Sequence, residues 1–361
     1  MPVSNEIEIT KQQLKAALKD GPGSARVAKL IYTNDATAGI QRKRKGEKFV
    51  YHFNNKQIKD IEELLRIKSL AIPPAWERVW ICPDENGHLQ ATGYDSAGRK
   101  QYRYHALWSK IRSHTKYFRL LDFGLSLSTI RQNIEADLKK PGLVKEKVLA
   151  AIIAILDSAY IRIGNSVYEK LNGSYGLTTL KDKHVKIEGS TTRFCFIGKK
   201  GIRSTFTIKN RRLSGIIKKC RDIPGQHLFA YYNDEGVIQQ IDSGMVNDYI
   251  REISSKDFTA KDFRTWAGTV SAIRALKEIG PFTTQTEMKR NINKMYDYVA
   301  NELGNTRNVC KNHYIHPIVV KLYEENKLHS FIETGGQDSQ NGSIDFLKIE
   351  EISLIKILSS K

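Results

Sequence analysis

The sequence predicts an α+β protein, in which a small β-rich domain precedes a larger, mostly helical domain. Strand-like runs and turn residues dominate residues 48–104, whereas apolar residues at helical spacing dominate after Tyr104. The length of 361 residues also suits about two domains of about 150 residues each. A chain of this length buries enough surface to fold without disulfides or a structural metal.

These patterns divide the chain into four parts. Residues 1–25 form a polar N-terminal segment, residues 26–108 the β-rich domain, residues 109–331 the helical domain and residues 332–361 a C-terminal tail. Because the tail begins with a stretch rich in Gly, Ser and Gln, we expect it to be loosely attached.

The β-rich domain contains one helical interruption, near residues 58–67. The prolines of residues 71–76 exclude a helix interior there, because proline lacks the backbone N–H and restricts the residue before it. Residues 79–82 and 89–94 are predicted to be strands on either side of a turn at residues 84–87.

The helical domain is predicted from apolar spacing and from residues that start or stop helices. Leu149, Ile152, Ile153, Leu156 and Tyr160 form one core-facing stripe. Strand-like residues 193–197 and 202–208 flank the turn Gly198-Lys199-Lys200-Gly201 and predict a hairpin. Thr259 and Asp262 are the capping pair of a helix through Leu276, and Gly304 closes a later helix. Thr306 is the N-cap of a helix carrying Tyr314, and Pro317 starts the next helix.

The charge of the chain indicates a polyanionic partner. Lys and Arg number 58 against 39 Asp and Glu, which gives a net charge of +19 and a pI of about 9.6. Such an excess concentrates polyanions, of which nucleic acid is the commonest, and an anionic membrane surface is the other candidate. Solubility alone is the simplest alternative.

Several classes of protein are excluded or disfavoured. The longest apolar run, residues 148–156, is far shorter than the roughly 20 residues that span a bilayer, and no N-terminal segment has the pattern of a signal peptide. The sequence contains neither a P-loop nor a G-x-G-x-x-G motif, so we expect no nucleotide cofactor. Four scattered cysteines without zinc spacing suit a reducing cytoplasm and predict no metal: Cys82, Cys195, Cys220 and Cys310.

A basic protein without nucleotide or metal motifs can bind a polyanion or cut its phosphodiester backbone with its own nucleophile. Cutting needs a nucleophile, cations that neutralise the transition state, a hydrogen-bond donor to a non-bridging oxygen, and an acid for the leaving oxygen. Residues of these types occur in order along the helical domain: Arg162, Lys199, Arg264, Asn305 and Tyr314. Taken singly, each has a more ordinary explanation, such as packing, an ion pair or a turn.

Five longer stretches of sequence, together with the order of these residues, indicate a particular protein family. They are Ile72-Pro73-Pro74-Ala75-Trp76, Gln90-Ala91-Thr92-Gly93, Gly98-Arg99-Lys100-Gln101-Tyr102-Arg103-Tyr104, Asn172-Gly173-Ser174-Tyr175-Gly176-Leu177-Thr178-Thr179-Leu180 and Lys261-Asp262-Phe263-Arg264-Thr265-Trp266-Ala267-Gly268-Thr269. With them, the chain resembles the type IB DNA topoisomerases of the small bacterial and poxvirus-like kind over residues 27–325.

The resemblance implies a role for each of the five residues. Tyr314 matches the nucleophile that forms a 3′-phosphotyrosyl bond, Arg162 and Arg264 match the arginines that clamp the scissile phosphate, and Lys199 matches the general acid. Lys200 is a rival for that last role. Asn305 stands where poxvirus enzymes have His and bacterial ones commonly have Asn; it can donate a hydrogen bond but cannot shuttle a proton.

The resemblance also implies the partner and the overall organisation. Family contacts to DNA match Arg99, Lys100, Gln101, Tyr102, Tyr104 and Tyr168. The β-rich domain would cap one face of duplex DNA and the catalytic domain the other, which forms a clamp. We expect a monomer that acts on double-stranded DNA in the cytoplasm, with the nucleoid, and relaxes supercoils of either sign without ATP, metal or membrane.

Two alternatives remain open from the sequence. A site-specific tyrosine recombinase has a similar catalytic set, but such enzymes usually carry His-x-x-Arg where this chain has Lys261-Asp262-Phe263-Arg264. A non-catalytic DNA-binding protein would also explain the positive charge.

Overall fold

The computed structural model describes residues 16–17, 20–96, 98–334 and 346–360. The chain divides into two compact units, Met1–Arg119 and Leu120–Lys361. The division between the units lies within one long helix, Ala106–Lys139. The domain boundary expected from the sequence, at residue 108, lies near the start of the same helix.

The first unit is built on a six-stranded antiparallel sheet of order β3-β2-β1-β4-β5-β6. Its elements are α1 (Gly21–Val27), β1 (Ile40–Lys45), β2 (Lys48–Phe53), β3 (Lys56–Gln57), α2 (Ile61–Ser69), β4 (Glu77–Ile81), β5 (Leu89–Tyr94), β6 (Lys100–Tyr104) and the first part of α3 (Ala106–Lys139). The β-rich prediction is therefore confirmed, with β5 at the predicted residues. Ile40, Ile67, Val79, Ile81 and Ala91 form one buried cluster of this unit.

The second unit is mainly helical, as predicted. After the remainder of α3 its elements are α4 (Lys145–Ala159), α5 (Ser166–Asn172), β7 (Val185–Glu188), β8 (Thr191–Ile197), β9 (Arg203–Lys209), α6 (Arg211–Arg221), β10 (Ala230–Tyr232), β11 (Ile238–Gln240), α7 (Ser243–Ser254), α8 (Ala260–Ile279), α9 (Gln285–Leu303), α10 (Arg307–His313), α11 (Pro317–Glu324), α12 (Leu328–Thr334) and α13 (Ile349–Ser359).

Helices α4 and α8 occupy the centre of the second unit. The long apolar run of α4 is buried almost throughout, and 14 of the 20 residues of α8 are buried. Thr259 and Asp262 form the predicted capping box of α8: Asp262 accepts hydrogen bonds from the Thr259 backbone N–H and hydroxyl at 2.8 and 2.9 Å. Of these two buried helices, α8 carries the candidate Arg264, and α4 ends shortly before the candidate Arg162.

The predicted hairpin is also present. Strands β8 and β9 pair antiparallel from Ile197 with Arg203 to Thr191 with Lys209, and β7 adds a third strand. A short 3-10 turn, Lys199–Gly201, joins β8 to β9, and Lys200 takes a left-handed conformation within it (φ 64°). This arrangement places Lys199 at the end of a three-stranded sheet.

The expectation of a loosely attached tail is wrong for the part of it that the structure describes. Helix α13 buries Leu354 and Ile357 in the same core as α4 and α8. Glu351 and Ser353 of this helix are also buried. The Gly/Ser/Gln-rich stretch that suggested loose attachment lies outside the described residues, and the apolar residues that follow it bring α13 back onto the core.

Candidate functional site

Arg264 lies in the first turns of α8 and is 5% exposed. Its Nη1 donates to the Tyr160 carbonyl oxygen, and its Nη2 donates to the Leu303 carbonyl oxygen at 2.9 Å. Tyr160 follows α4 in the left-handed conformation (φ 54°), an uncommon one for a tyrosine. The ends of α4 and α9 therefore fix the guanidinium of Arg264 from two sides.

Arg162 lies two residues beyond Tyr160 and is held together with Asn305. Its Nη2 donates to the Asn305 side-chain oxygen Oδ1 and to the Gly304 carbonyl oxygen, the latter at 3.3 Å. Gly304 ends α9 in the left-handed conformation, as the sequence predicts. Both arginines thus bind to the same short segment, residues 303–305.

Two buried nitrogen atoms of this group have no hydrogen-bond partner among the described residues. They are Nε of Arg264 and Nδ2 of Asn305. Because Oδ1 of Asn305 is occupied by Arg162, the amide orientation leaves Nδ2 as a donor. An unpaired buried donor costs about 1–3 kcal/mol, so these atoms are suited to an oxygen ligand such as phosphate.

Four of the five candidate catalytic residues line one cavity of about 340 Å³: Arg162, Lys199, Arg264 and Asn305. Strand β9 and the ends of α4 and α9 complete its wall. Lys199 is exposed at the turn between β8 and β9. Its rival Lys200 is not among the described residues that line this cavity.

The fifth residue, Tyr314, lies beside this cavity. It immediately follows α10, whose N-cap is Thr306 as predicted. The Arg264 guanidinium carbon lies 5.3 Å from the centre of the Tyr314 ring. The structure therefore brings all five predicted residues together, with Tyr314 half-buried.

The electrostatics of the site reflect two close cations in a buried setting. Burial, and then the neighbouring charge of Arg264, lower the pKa of Arg162 below its ordinary value. Burial raises the pKa of the nearby Cys310 thiol to about 11, although both arginines oppose that shift. Cys310 is therefore neutral at pH 7 and does not offset the positive charge of the two arginines.

Gly268 and Thr269, four and five residues after Arg264 on α8, contact the backbone of Tyr314 and were assigned no role from the sequence. A Cβ atom on Gly268 would lie 2.7 Å from the Tyr314 carbonyl oxygen, so only glycine allows this approach. The Thr269 hydroxyl lies 3.2 Å from the same oxygen and accepts a hydrogen bond from the His316 backbone N–H at 3.1 Å. The sequence did contain a signal for them, because both residues end the stretch Lys261 to Thr269 that carries the family resemblance.

The predicted DNA-contacting residues of the first unit lie on or next to β6. Arg99 pairs with Asp95 at 2.7 Å, Lys100 pairs with Asp35 at 2.5 Å, and Gln101 donates to Asp95 at 2.9 Å. These polar groups are therefore held by carboxylates in the free protein.

The two predicted aromatic contacts on β6 are exposed. The Tyr102 and Tyr104 rings are stacked, with centres 6.0 Å apart, and they are 47% and 45% exposed. In the second unit, Tyr168 lies on α5, a helix without a buried residue, and is 52% exposed. Exposed aromatic side chains of this kind are available to a ligand.

The described residues contain no group of three or more His, Cys, Asp or Glu side chains arranged to hold a metal ion. No described helix is both long and apolar enough to cross a membrane.

Comparisons with known proteins show what the chain as a whole is similar to. Residues 106–330 match the eukaryotic DNA topoisomerase I catalytic core, and residues 48–95 match the bacterial DNA topoisomerase IB N-terminal domain. DNA topoisomerase 1B of Acanthamoeba polyphaga mimivirus is 35% identical over 321 residues, which cover 86% of this chain and 93% of the viral protein. DNA topoisomerase 1B of vaccinia virus (strain Copenhagen) is 23% identical over 255 residues, or 69% and 76% of the two chains.

Proposed function

The chain belongs to the type IB DNA topoisomerases, and from that membership we propose that it cleaves and reseals one DNA strand through Tyr314. The observation that carries this proposal is the convergence of Arg162, Lys199, Arg264 and Asn305 on one cavity beside the Tyr314 ring. The family match sets aside the tyrosine recombinase and binding-only alternatives.

In the proposed cleavage step, the Tyr314 oxygen bonds to phosphorus and the bond to the 5′ oxygen breaks. The phenolic proton passes to solvent, and Lys199 gives a proton to the departing 5′ oxygen, which leaves as a hydroxyl. Only about 0.1% of a free tyrosine is phenolate at neutral pH, so the two guanidinium groups must stabilise the developing charge. Religation is the same step in reverse.

Three groups would bind the non-bridging oxygens of the scissile phosphate. Arg162 and Arg264 supply charged donors, and the unpaired Nδ2 of Asn305 supplies a neutral one. The existing bonds of both arginines to residues 303–305 orient these donors before DNA arrives. Such preorganised donors act where transition-state charge develops, which is the main source of catalysis in this class of reaction.

This chemistry requires neither ATP nor a divalent metal. The phosphotyrosyl bond conserves the energy of the broken phosphodiester, and the arginines and Lys199 supply the positive charge that metal ions supply elsewhere. While the strand is cut, rotation of the duplex would release supercoils of either sign.

The wider proposals concern how DNA is held. Arg99, Lys100, Gln101, Tyr102, Tyr104 and Tyr168 would contact duplex DNA, and the two units would form a clamp around it. One copy of the chain contains the full set of catalytic residues, so we propose a monomer that acts with the cytoplasmic nucleoid.

The test is relaxation of a supercoiled plasmid in EDTA without ATP. Wild-type protein should relax positive and negative supercoils, whereas Tyr314→Phe should be inactive yet bind DNA with nearly unchanged affinity, because only the nucleophilic oxygen is removed. Relaxation by Tyr314→Phe would eliminate this residue as the nucleophile. If neither protein relaxes the plasmid, a search for strand exchange at a specific site would follow.

A further inference from the structure

Helix α13 lies beyond residues 106–330, which match the catalytic core of known relatives. It is nevertheless part of the same hydrophobic core as α4 and α8. Its most unusual residue is Glu351, a carboxylate that is 3% exposed. A buried carboxylate is costly unless it is fully hydrogen-bonded, so its partners indicate what it does.

The main partner of Glu351 is Arg131 on α3. All five N–H donors of this guanidinium are used: Nε and Nη2 bind the Asp157 carboxylate at 2.8 and 3.1 Å, Nη1 and Nη2 bind the Glu351 carboxylate at 2.7 and 2.9 Å, and Nη1 also binds the Phe346 carbonyl oxygen at 2.5 Å. Arg131 therefore has one geometry that satisfies it, which fixes α3, α4 and α13 against each other.

Glu351 also reaches the helix that carries Arg264. Its Oε1 accepts a hydrogen bond from Trp266 Nε1 at 3.0 Å, and its Oε2 accepts from the Lys348 backbone N–H at 2.8 Å. Trp266 is 2% exposed and packs closely against Gly124 of α3. Arg131, Asp157, Glu351 and Trp266 thus form one cluster, called here the Arg131 cluster.

Two members of the Arg131 cluster are near neighbours of catalytic groups in sequence. Trp266 lies two residues after Arg264 on α8, and Asp157 lies three residues before Tyr160, whose carbonyl oxygen binds Arg264. Arg162 follows Tyr160 by two residues. A shift of α8 against the end of α4 would therefore change the position of one catalytic arginine relative to the other.

We propose that α13 is a positioning element of the active site, and that Glu351 acts through the Arg131 cluster to hold α8 and the end of α4 in the register that sets the Arg162–Arg264 pair. Glu351 does not touch substrate in this scheme. The proposal rests on the proposed function, because it needs both arginines to act on the scissile phosphate.

The charge of Glu351 is what distinguishes this arrangement from simple packing. Burial works to raise its pKa, but the hydrogen bonds and charge of Arg131 outweigh burial and hold the pKa of Glu351 below its ordinary value. The group is therefore ionised at neutral pH. Apolar residues often stabilise a core as well as a buried ion pair does, whereas directional bonds fix orientation.

The test compares Glu351→Gln with Glu350→Gln as a matched control. Glu350 is the preceding residue on α13 and pairs with Lys277 of α8 at 3.6 Å, but it does not contact Arg131 or Trp266 among the described contacts. Single-turnover cleavage and religation are measured on a short duplex at a temperature where circular dichroism shows both variants folded. DNA affinity and thermal midpoint are measured in parallel.

For Glu351→Gln we expect cleavage and religation to slow together by about tenfold to a hundredfold, because both steps use the same arginine pair. The covalent fraction at equilibrium and the DNA affinity should stay unchanged, and Glu350→Gln should match wild type. A lower thermal midpoint with unchanged rates would show that α13 only adds stability and would overturn the proposal.

If Glu351→Gln does not fold, Arg131→Lys provides the same test. Lysine keeps the charge but cannot bind both carboxylates in the planar, bidentate manner of arginine, so the same parallel loss of both rates is expected. Unchanged rates in Arg131→Lys would equally reject the proposal. Failure of the proposed function is separate, since wild type itself would then not cleave the duplex.

Discussion

At the scale of single residues, the side chain of Asn305 has one polar atom occupied and one unpaired among the described residues. Arg162 holds its oxygen, so the nitrogen Nδ2 is left to donate. The sequence showed that Asn could donate a hydrogen bond; the structure adds which atom is free to do so. This pairing could not be foreseen, since Arg162 and Asn305 are 143 residues apart.

Asn305→Asp tests that assignment with almost no change in shape. The carboxylate can still accept from Arg162, but it places an acceptor at the position of the proposed donor to phosphate. We expect single-turnover cleavage to fall by about a hundredfold or more, comparable to the loss of one oxyanion donor. Asn305→His, the poxvirus residue, should retain much of the activity. A fast Asn305→Asp variant would exclude Nδ2 from transition-state binding.

Lys199 is tested through the leaving group. Lys199→Ala should slow cleavage of normal DNA by about 10²–10⁴-fold, because the 5′ oxygen then departs without its acid. Replacing that oxygen by sulfur makes a leaving group that needs little protonation, so the variant should then cleave nearly as fast as wild type. Lys200→Ala is the matched control and should behave as wild type on both substrates. A slow Lys199→Ala on the sulfur substrate would remove Lys199 as the acid.

At the scale of elements, local sequence signals predicted the features that depend on residues close together in the chain. The capping box of α8, the closing glycine of α9, the N-cap of α10 and the hairpin of β8 and β9 were all predicted, because each depends on a few neighbouring side chains. The attachment of α13 was missed, because it depends on Arg131 and Trp266, which are far away in the sequence. A cluster of charged residues that joins helices far apart in the chain produces no periodic pattern in the sequence.

The contact between α8 and the residue after α10 gives a prediction at this scale. Gly268→Ala places a methyl group against the Tyr314 carbonyl oxygen, so the backbone of Tyr314, the proposed nucleophile, must move. We expect cleavage to slow by about tenfold to a hundredfold while DNA affinity is unchanged. Single-turnover cleavage and a binding titration measure this. Gly215→Ala on α6, where nothing lies within 4 Å of the added methyl, is the control and should keep full activity.

At the scale of the whole molecule, the net charge of +19 predicts an affinity for DNA that falls steeply as the salt concentration rises. Part of that charge is balanced internally, since Arg99 and Lys100 pair with Asp95 and Asp35. Each pair must open or be shared before its cation can neutralise a DNA phosphate. The number of basic residues therefore overstates the number of phosphate contacts.

Arg99→Ala measures one such contact. We expect weaker duplex binding and a decrease of about one in the slope of log affinity against log salt concentration, because one phosphate contact is lost. Titrations at several salt concentrations give that slope. Arg44→Ala on β1 is a control on the same sheet, with an exposed guanidinium that binds the Gly46 carbonyl oxygen, and should leave the slope unchanged. An unchanged slope in Arg99→Ala would exclude Arg99 from the phosphate contacts.

The unpaired nitrogens of Arg264 and Asn305 have a consequence for handling the protein. Because the folded state alone presents these donors together, a small tetrahedral anion such as sulfate would bind it in preference to the unfolded chain and raise its melting temperature. The same anion would occupy the cavity that we propose for the DNA phosphate. A buffer chosen because it preserves the protein in storage would therefore inhibit it in the assay, beyond the effect of ionic strength.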